Sequence, residues 1–214
     1  YNDTYIYDVA GNLIEKIEYE GEGKISFRVA GKYDEKKRET EKIIFTANGS
    51  VLSKQFFFYD TKGNKISETN YDSTGKETDK KIFAFDSQNR FISTLFLKKD
   101  SVTSKYFYQY NDAGRKIKTI CYNSNGSINF KSVYDYDTKG NLILETVLQG
   151  TNFIKKTYRY DTKRNLIRKT TCDDRGNILS GFSYRYSEKN LIAEETEYNS
   201  FDEPQSIIKY FYDA

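Results

Sequence analysis

A Tyr or Phe returns about every 26 residues along this chain, each time just ahead of an acidic or polar residue: Tyr7, Tyr33, Tyr59, Phe85, Tyr110, Tyr136, Tyr160, Tyr186 and Tyr212. Other series keep step with it. An aromatic stands two residues earlier at Tyr5, Phe57, Phe83, Tyr108, Tyr134, Tyr158, Tyr184 and Tyr210. Ile stands seven later at Ile14, Ile66, Ile92, Ile117, Ile143 and Ile167, and a mixed apolar series stands twelve later at Tyr19, Phe45, Tyr71, Leu97, Tyr122, Leu148, Cys172 and Tyr198. Chance does not hold several registers in phase. The chain must therefore fold as about eight copies of one short unit, starting near Tyr7, Tyr33, Tyr59, Phe85, Tyr110, Tyr136, Tyr160 and Tyr186, and forming a single repeat domain over residues 1–214.

Each unit carries two reversal signals. The first reads Asp-x-x-Gly-Asn, as in Asp8 to Asn12, Asp60 to Asn64 and Asp137 to Asn141, which suits a type I turn closed by a left-handed glycine. The second places Gly23, Gly49, Gly75, Gly126 and Gly176 at a common offset. Between the turns lie stretches rich in Thr, Ile, Tyr and Phe, which read as strands. Strand and short turn in alternation make an antiparallel β-meander with no helix. The expected fold is all-β, a tandem β-hairpin array forming an elongated, twisted or coiled antiparallel sheet. The unit from Phe85 is one residue short and the unit from Tyr136 two short, both near the second turn, where length changes are tolerated.

Residues two apart on a strand share a face, so Tyr134 with Tyr136, or Tyr158 with Tyr160, point one way, and their counterparts form a row along the array. That row is expected to hold units together, because a lone hairpin is marginal in water. It is also the candidate binding platform for sugars or extended peptides, with Phe57, Phe83, Tyr108, Tyr134, Tyr158, Tyr184 and Tyr210 as binding residues. The run Phe56, Phe57, Phe58 and Tyr59 calls for cover on both faces.

Composition narrows the function classes. Tyr (20) and Phe (15) carry much of the apolar area, too much for a disordered chain, and the aliphatics are too thin for a thick core. Net charge is +3 and neither sign forms a long block, which argues against nucleic acid as a partner. No apolar run approaches the roughly 20 residues that span a bilayer. His is absent, which removes the commonest general base and transition-metal ligand. Asp8, Asp34, Asp60, Asp86, Asp137 and Asp161 read as turn caps and not as metal ligands, since Asn111 and Ser187 stand at the same place. Cys121 and Cys172 fall two units apart, at least about 9 Å at the usual strand spacing, so two free thiols with a packing role are expected. No pair of carboxylates stands out, and no phosphate loop, zinc spacing or nucleophile elbow is present. The chain is expected to be no enzyme and to need no cofactor. With no Met, it reads as a processed form or an excised fragment, and Tyr1 reads as the end of a strand in an array that continues upstream.

The segments Tyr7-Asp-Val-Ala-Gly-Asn-Leu-Ile14, Tyr59-Asp-Thr-Lys-Gly-Asn-Lys-Ile66, Tyr110-Asn-Asp-Ala-Gly-Arg-Lys-Ile117 and Tyr136-Asp-Thr-Lys-Gly-Asn-Leu-Ile143 resemble the YD repeats of the RHS-like family. The resemblance covers essentially the whole chain. Lys37, Asn89 and Arg164 stand where the motif has Gly, and the unit at Tyr33 lacks the Ile. The resemblance implies a bacterial secreted or surface-attached protein whose hairpin strips coil into a spiral. A second resemblance is to the MORN-like repeats of some proposed antitoxins. The leading expectation is an extracellular or cell-envelope module for adhesion, or for binding a glycan or protein. The alternatives are a structural spacer or partial casing without its own ligand, and a cytoplasmic antitoxin-like protein. Bare edge strands at the two ends make end-to-end self-association a further expectation.

Overall fold

The computed structural model describes residues 3–212, so the strand end expected at Tyr1 lies outside the described residues. The chain is all-β, an antiparallel meander with 17 strands among the described residues. It divides into two compact units, one through Lys105 and one from Tyr106. The first holds β1 (Thr4–Tyr7), β2 (Leu13–Glu20), β3 (Lys24–Tyr33), β4 (Glu39–Thr46), β5 (Val51–Tyr59), β6 (Lys65–Asp72), β7 (Glu77–Phe85) and β8 (Phe91–Lys98). The boundary falls inside β9 (Ser101–Tyr110). The second holds β10 (Lys116–Asn123), β11 (Ile128–Tyr136), β12 (Leu142–Gln149), β13 (Asn152–Tyr160), β14 (Leu166–Cys172), β15 (Ile178–Tyr186), β16 (Ile192–Tyr198) and β17 (Pro204–Lys209).

The first turns explain the Tyr-Asp-x-x-Gly-Asn signature. The Asp8 amide donates to the Asn12 carbonyl and the Gly11 amide to the Asp8 carbonyl, with Gly11 at φ +83. The Asp8 carboxylate then closes the turn. Its Oδ1 accepts the Ala10 and Asn12 amides and its Oδ2 accepts the Asn12 side chain at 2.8 Å. Asp60, Asp137 and Asp161 repeat the arrangement with Asn64, Asn141 and Asn165, whereas Asp34 and Asp86 take a guanidinium from Arg38 and Arg90. The Asp8 and Asp60 carboxyls are held below the usual aspartate range, first by those Asn side-chain amides. Turn capping is thus what the recurring Asp does.

Just past each of these turns the register slips. Asp135 pairs with Leu144 and Tyr136 with Leu142, which leaves Ile143 as the extra residue of a β-bulge. Ile14, Ile66, Ile92 and Ile167 are passed over in the same way, as are Thr40 and Ala193. The recurring Ile therefore marks the bulge. The β12–β13 hairpin has no such slip at its second turn, and Gln149 pairs with Asn152 across a two-residue loop. That is how the unit from Tyr136 loses its two residues. In the unit from Phe85 the loop between β8 and β9 is also two residues, Lys99 and Asp100.

The sheet has almost no interior. Among the described residues the buried hydrophobics are Phe57 and Cys121, and on the face opposite Phe57 the Phe56 ring is half-buried against Tyr71 while Phe58 is 56% exposed. Cys121 and Cys172 are both free thiols. Cys121 shares a face with Phe130 and Cys172 shares the opposite one with Lys155.

Candidate functional site

The aromatic that opens each unit has a second task, carried by its hydroxyl. Tyr33 donates to the Leu13 carbonyl at 2.9 Å and Tyr59 to Glu39 at 2.8 Å in the first compact unit. In the second, Tyr136, Tyr160, Tyr186 and Tyr212 donate to Lys116, Leu142, Leu166 and Ile192 at 2.8–3.0 Å. Every acceptor lies six residues after the preceding unit's own aromatic, beside the bulge, so the phenol stitches one repeat to the one before. Burial pushes the Tyr33, Tyr59, Tyr136, Tyr160 and Tyr186 hydroxyls up from their ordinary pKa, which keeps them protonated donors.

Directly paired residues project to the same face, so the register assigns each side chain to one side of the sheet. The ring face carries the expected binding row. Phe57 is buried, Phe83, Tyr108, Tyr134, Tyr158 and Tyr184 are half-buried, and Tyr210 is exposed. Row members sit on every second strand, about 9.6 Å apart. They are separated by polar side chains of the strand between: Phe57 faces Glu68, Phe83 faces Thr94, Tyr134 faces Glu145, Tyr158 faces Lys169 and Tyr184 faces Glu195. The rings and charges are tied together. Lys65 Nζ lies 5.0 Å from the Phe57 ring and 5.7 Å from Phe83, and Lys116 Nζ bridges Tyr108 and Tyr134 in the same manner. The Glu68 carboxyl is pushed up by burial but held below its usual range by Lys65 and Lys81. Tyr158 donates to Glu145 at 3.2 Å, and burial followed by that carboxylate pushes its hydroxyl up to about 12. The row is thus a ladder in which rings and charged side chains alternate.

One position in the row has no ring. Gly31 occupies it, directly opposite Lys42, and the Tyr33 ring leans so close that a Cβ on Gly31 would stand 3.2 Å from Tyr33 Cε2. The gap opens a cavity of about 330 Å³ lined by Leu13, Lys16, Val29, Gly31, Tyr33, Glu39 and Lys42. Leu13, Val29 and Tyr33 give it an apolar floor, and Lys16, Lys42 and Glu39 place donors and acceptors at its rim. Lys42 and Glu39 are 3.5 Å apart, and Lys16 is held by Asp3 and Glu18. The signal for this site was present in the sequence, as the one column of aromatics broken by a glycine. Among the described residues no cluster of His, Cys, Asp and Glu is placed to hold a metal ion.

The opposite face of the second compact unit differs sharply in charge. Arg159 and Arg168 are directly paired there, and Arg185 lies two rows on, paired with Glu194. Lys118, Lys131, Lys155 and Lys209 share this face with them, against the carboxylates of Asp135 and Glu194. On the ring face of the same unit Lys116, Lys156 and Lys169 are matched by Glu145, Glu195 and Glu197. No helix among the described residues is long and apolar enough to cross a membrane.

Three solved structures are similar in backbone course. A Photorhabdus luminescens Tc holotoxin pore matches with TM-score 0.47 and 11% identity over 88% of this chain, which spans 14% of that chain's length. A porin-like protein from Bacteroides uniformis matches with TM-score 0.35 and 9% identity, covering 96% of this chain and 87% of its own. A TcdB2-TccC3 structure without its hypervariable C-terminal region matches with TM-score 0.27 and 9% identity, covering 90% of this chain and 16% of its own. No curated protein matches the sequence. A family model described as "Uncharacterised protein" matches residues 81–214, and the chain belongs to that family.

Proposed function

We propose that this chain is a non-enzymatic YD-repeat module of the RHS-like kind, working in the bacterial cell envelope or outside the cell, that binds a glycan or protein through its ring face. The observation that carries this reading is the gap at Gly31. A sugar ring set there would lie against Tyr33 and Val29, with the Lys42 ammonium and Glu39 carboxylate within reach of its hydroxyls. Sugars need that mixture, since their hydroxyls both donate and accept while their ring faces are apolar. The test is a glycan array probed with the whole chain, followed by titration of any hit against Lys42→Ala and Glu39→Gln. Loss of the hit in both variants, with melting temperature unchanged, is the expected result.

A second reading, a spacer without its own ligand, is favoured by a different observation. The hydroxyls of Tyr158 and Tyr210 are taken up by Glu145 and Glu195 of the same sheet. An array without hits would leave the spacer as the better account, whereas hits that survive both variants would move the glycan site away from the Gly31 gap.

A further inference from the structure

From the charge on the face opposite the rings, we propose that the second compact unit docks on an anionic bilayer surface through Arg159, Arg185 and the lysines around them. This is independent of the glycan reading, because the other face and the other compact unit carry it. The starting point is the direct pairing of Arg159 with Arg168. Like charges directly across an antiparallel pair are destabilising, and an anion bridging the two guanidiniums removes the penalty. Arg168 is already engaged, lying over the Tyr198 ring and paired with Asp202. Arg159 is exposed, and the Arg185 side chain is 77% exposed although it reaches Glu194 at 3.4 Å. Arg159 can offer its whole fork to phosphate oxygens, and Arg185 the guanidinium nitrogens turned away from Glu194.

Apolar side chains on the same face decide between anionic partners. Leu148 and Phe153 are directly paired, with Lys131 beside Leu148 and Lys155 over the Phe153 ring at 5.6 Å. Ile207 is 57% exposed on this face next to the Arg168 row. Cations interspersed with exposed aliphatics match the headgroup region of a bilayer, where the charge meets lipid phosphates and the apolar groups reach the acyl boundary. An acidic polysaccharide or a nucleic acid would leave Leu148 and Ile207 without use. Base stacking needs open rings, and on this face the Phe153 and Tyr198 rings are already covered by Lys155 and Arg168, while the regular tyrosine row lies on the opposite face.

The experiment is cosedimentation of the whole chain with vesicles of phosphatidylglycerol and phosphatidylethanolamine, against vesicles of phosphatidylcholine alone. Binding to the anionic vesicles should weaken with salt and fall by about ten-fold or more in Arg159→Gln/Arg185→Gln. Leu148→Ser should remove what binding persists at high salt. The pair Lys156→Gln/Lys169→Gln, on the ring face of the same unit, should bind like the parent chain, and circular dichroism would confirm that all variants are folded. Equal binding to both vesicle types, no binding to either, or equal loss in the ring-face variant would overturn the proposal. So would tighter binding of heparin or single-stranded DNA than of anionic vesicles at the same salt, since those polymers would then be the better partner.

Discussion

The Tyr186 hydroxyl donates to the Leu166 carbonyl at 3.0 Å, twenty residues back along the chain and one repeat earlier. The same reach recurs from Tyr160 to Leu142 and from Tyr136 to Lys116. In a sheet with almost no interior this bond adds a directional side-chain tie to the backbone ladder between repeats, and it explains why Tyr dominates a position at which Phe would fill the same space. Phe85 is the exception in the first compact unit and packs on Phe91 at 5.5 Å.

This gives a paired prediction. Tyr160→Phe should lower stability by about 1 kcal/mol, the usual net worth of such a bond. Phe85→Tyr should raise it by about 0.5–1 kcal/mol by supplying the missing donor toward Lys65. Urea melts of both variants check this, and a stabilised Tyr160→Phe would refute the stitching role.

A second prediction concerns the turns that do without glycine. Lys37, Asn89, Arg164 and Asn190 all stand at φ between +61 and +71, where a Cβ is unfavourable. Each reaches back to the preceding first turn. Lys37 Nζ donates to the Ala10 carbonyl at 2.6 Å, Asn89 and Asn190 exchange amides with Asn64 and Asn165, and Arg164 Nη2 donates to the Lys139 carbonyl at 2.7 Å. Arg164→Ala keeps the strain and loses the bond, so it should cost about 1 kcal/mol more than Arg164→Gly, which relieves the strain. Thermal melts that rank the two the other way would rule out this trade.

The thiols offer a third. Cys121 is 1% exposed and lies among Tyr106 and Phe130, while Cys172 is half-buried on the other face. A thiol reagent should modify Cys172 in the native chain and reach Cys121 only on unfolding. Equal native rates would contradict this placement.

Stability should also fall at both ends of the pH scale, for opposite reasons. The phenol of Tyr158 has its pKa raised in the folded state, so its contribution is complete below the unfolded value of 10.0 and is lost as pH rises through about 12. The capping aspartates are depressed instead. Their contribution is present above the unfolded value of 3.8 and disappears as pH falls through the folded values. Melting temperature against pH should therefore be a plateau that drops on both sides. Tyr158→Phe should delay the alkaline fall, and an unchanged alkaline limb in that variant would remove Tyr158 from the explanation.

Strands, both sets of turns and the place of the short loops could be read from the chain, because Asp, Gly and the aromatics sit where backbone geometry demands them. The meaning of the Ile series could not. Ile143 looks like one more strand residue until the pairing of Tyr136 with Leu142 shows that it is passed over. The tyrosine hydroxyl bonds were hidden because their acceptors are backbone carbonyls, which leave no residue signature. The basic face was hidden for another reason. Along the sequence Arg159 and Arg168 are nine residues apart among mixed charges, and only the register brings them side by side. A search for blocks of one sign, which argued against nucleic acid, cannot see charge that is sorted by alternation.

The two-residue loops at Lys99–Asp100 and Gly150–Thr151 stand at the hairpin ends opposite the first turns, which are the ones stapled to one another. Rim and rim are therefore unequal in what they tolerate. At the first turns, a lengthened loop would pull neighbouring turns out of each other's reach. At the other, foreign peptide could be spliced in with little cost to the hairpin beneath, which makes that rim the natural place for an epitope or a reporter and for variation among family members.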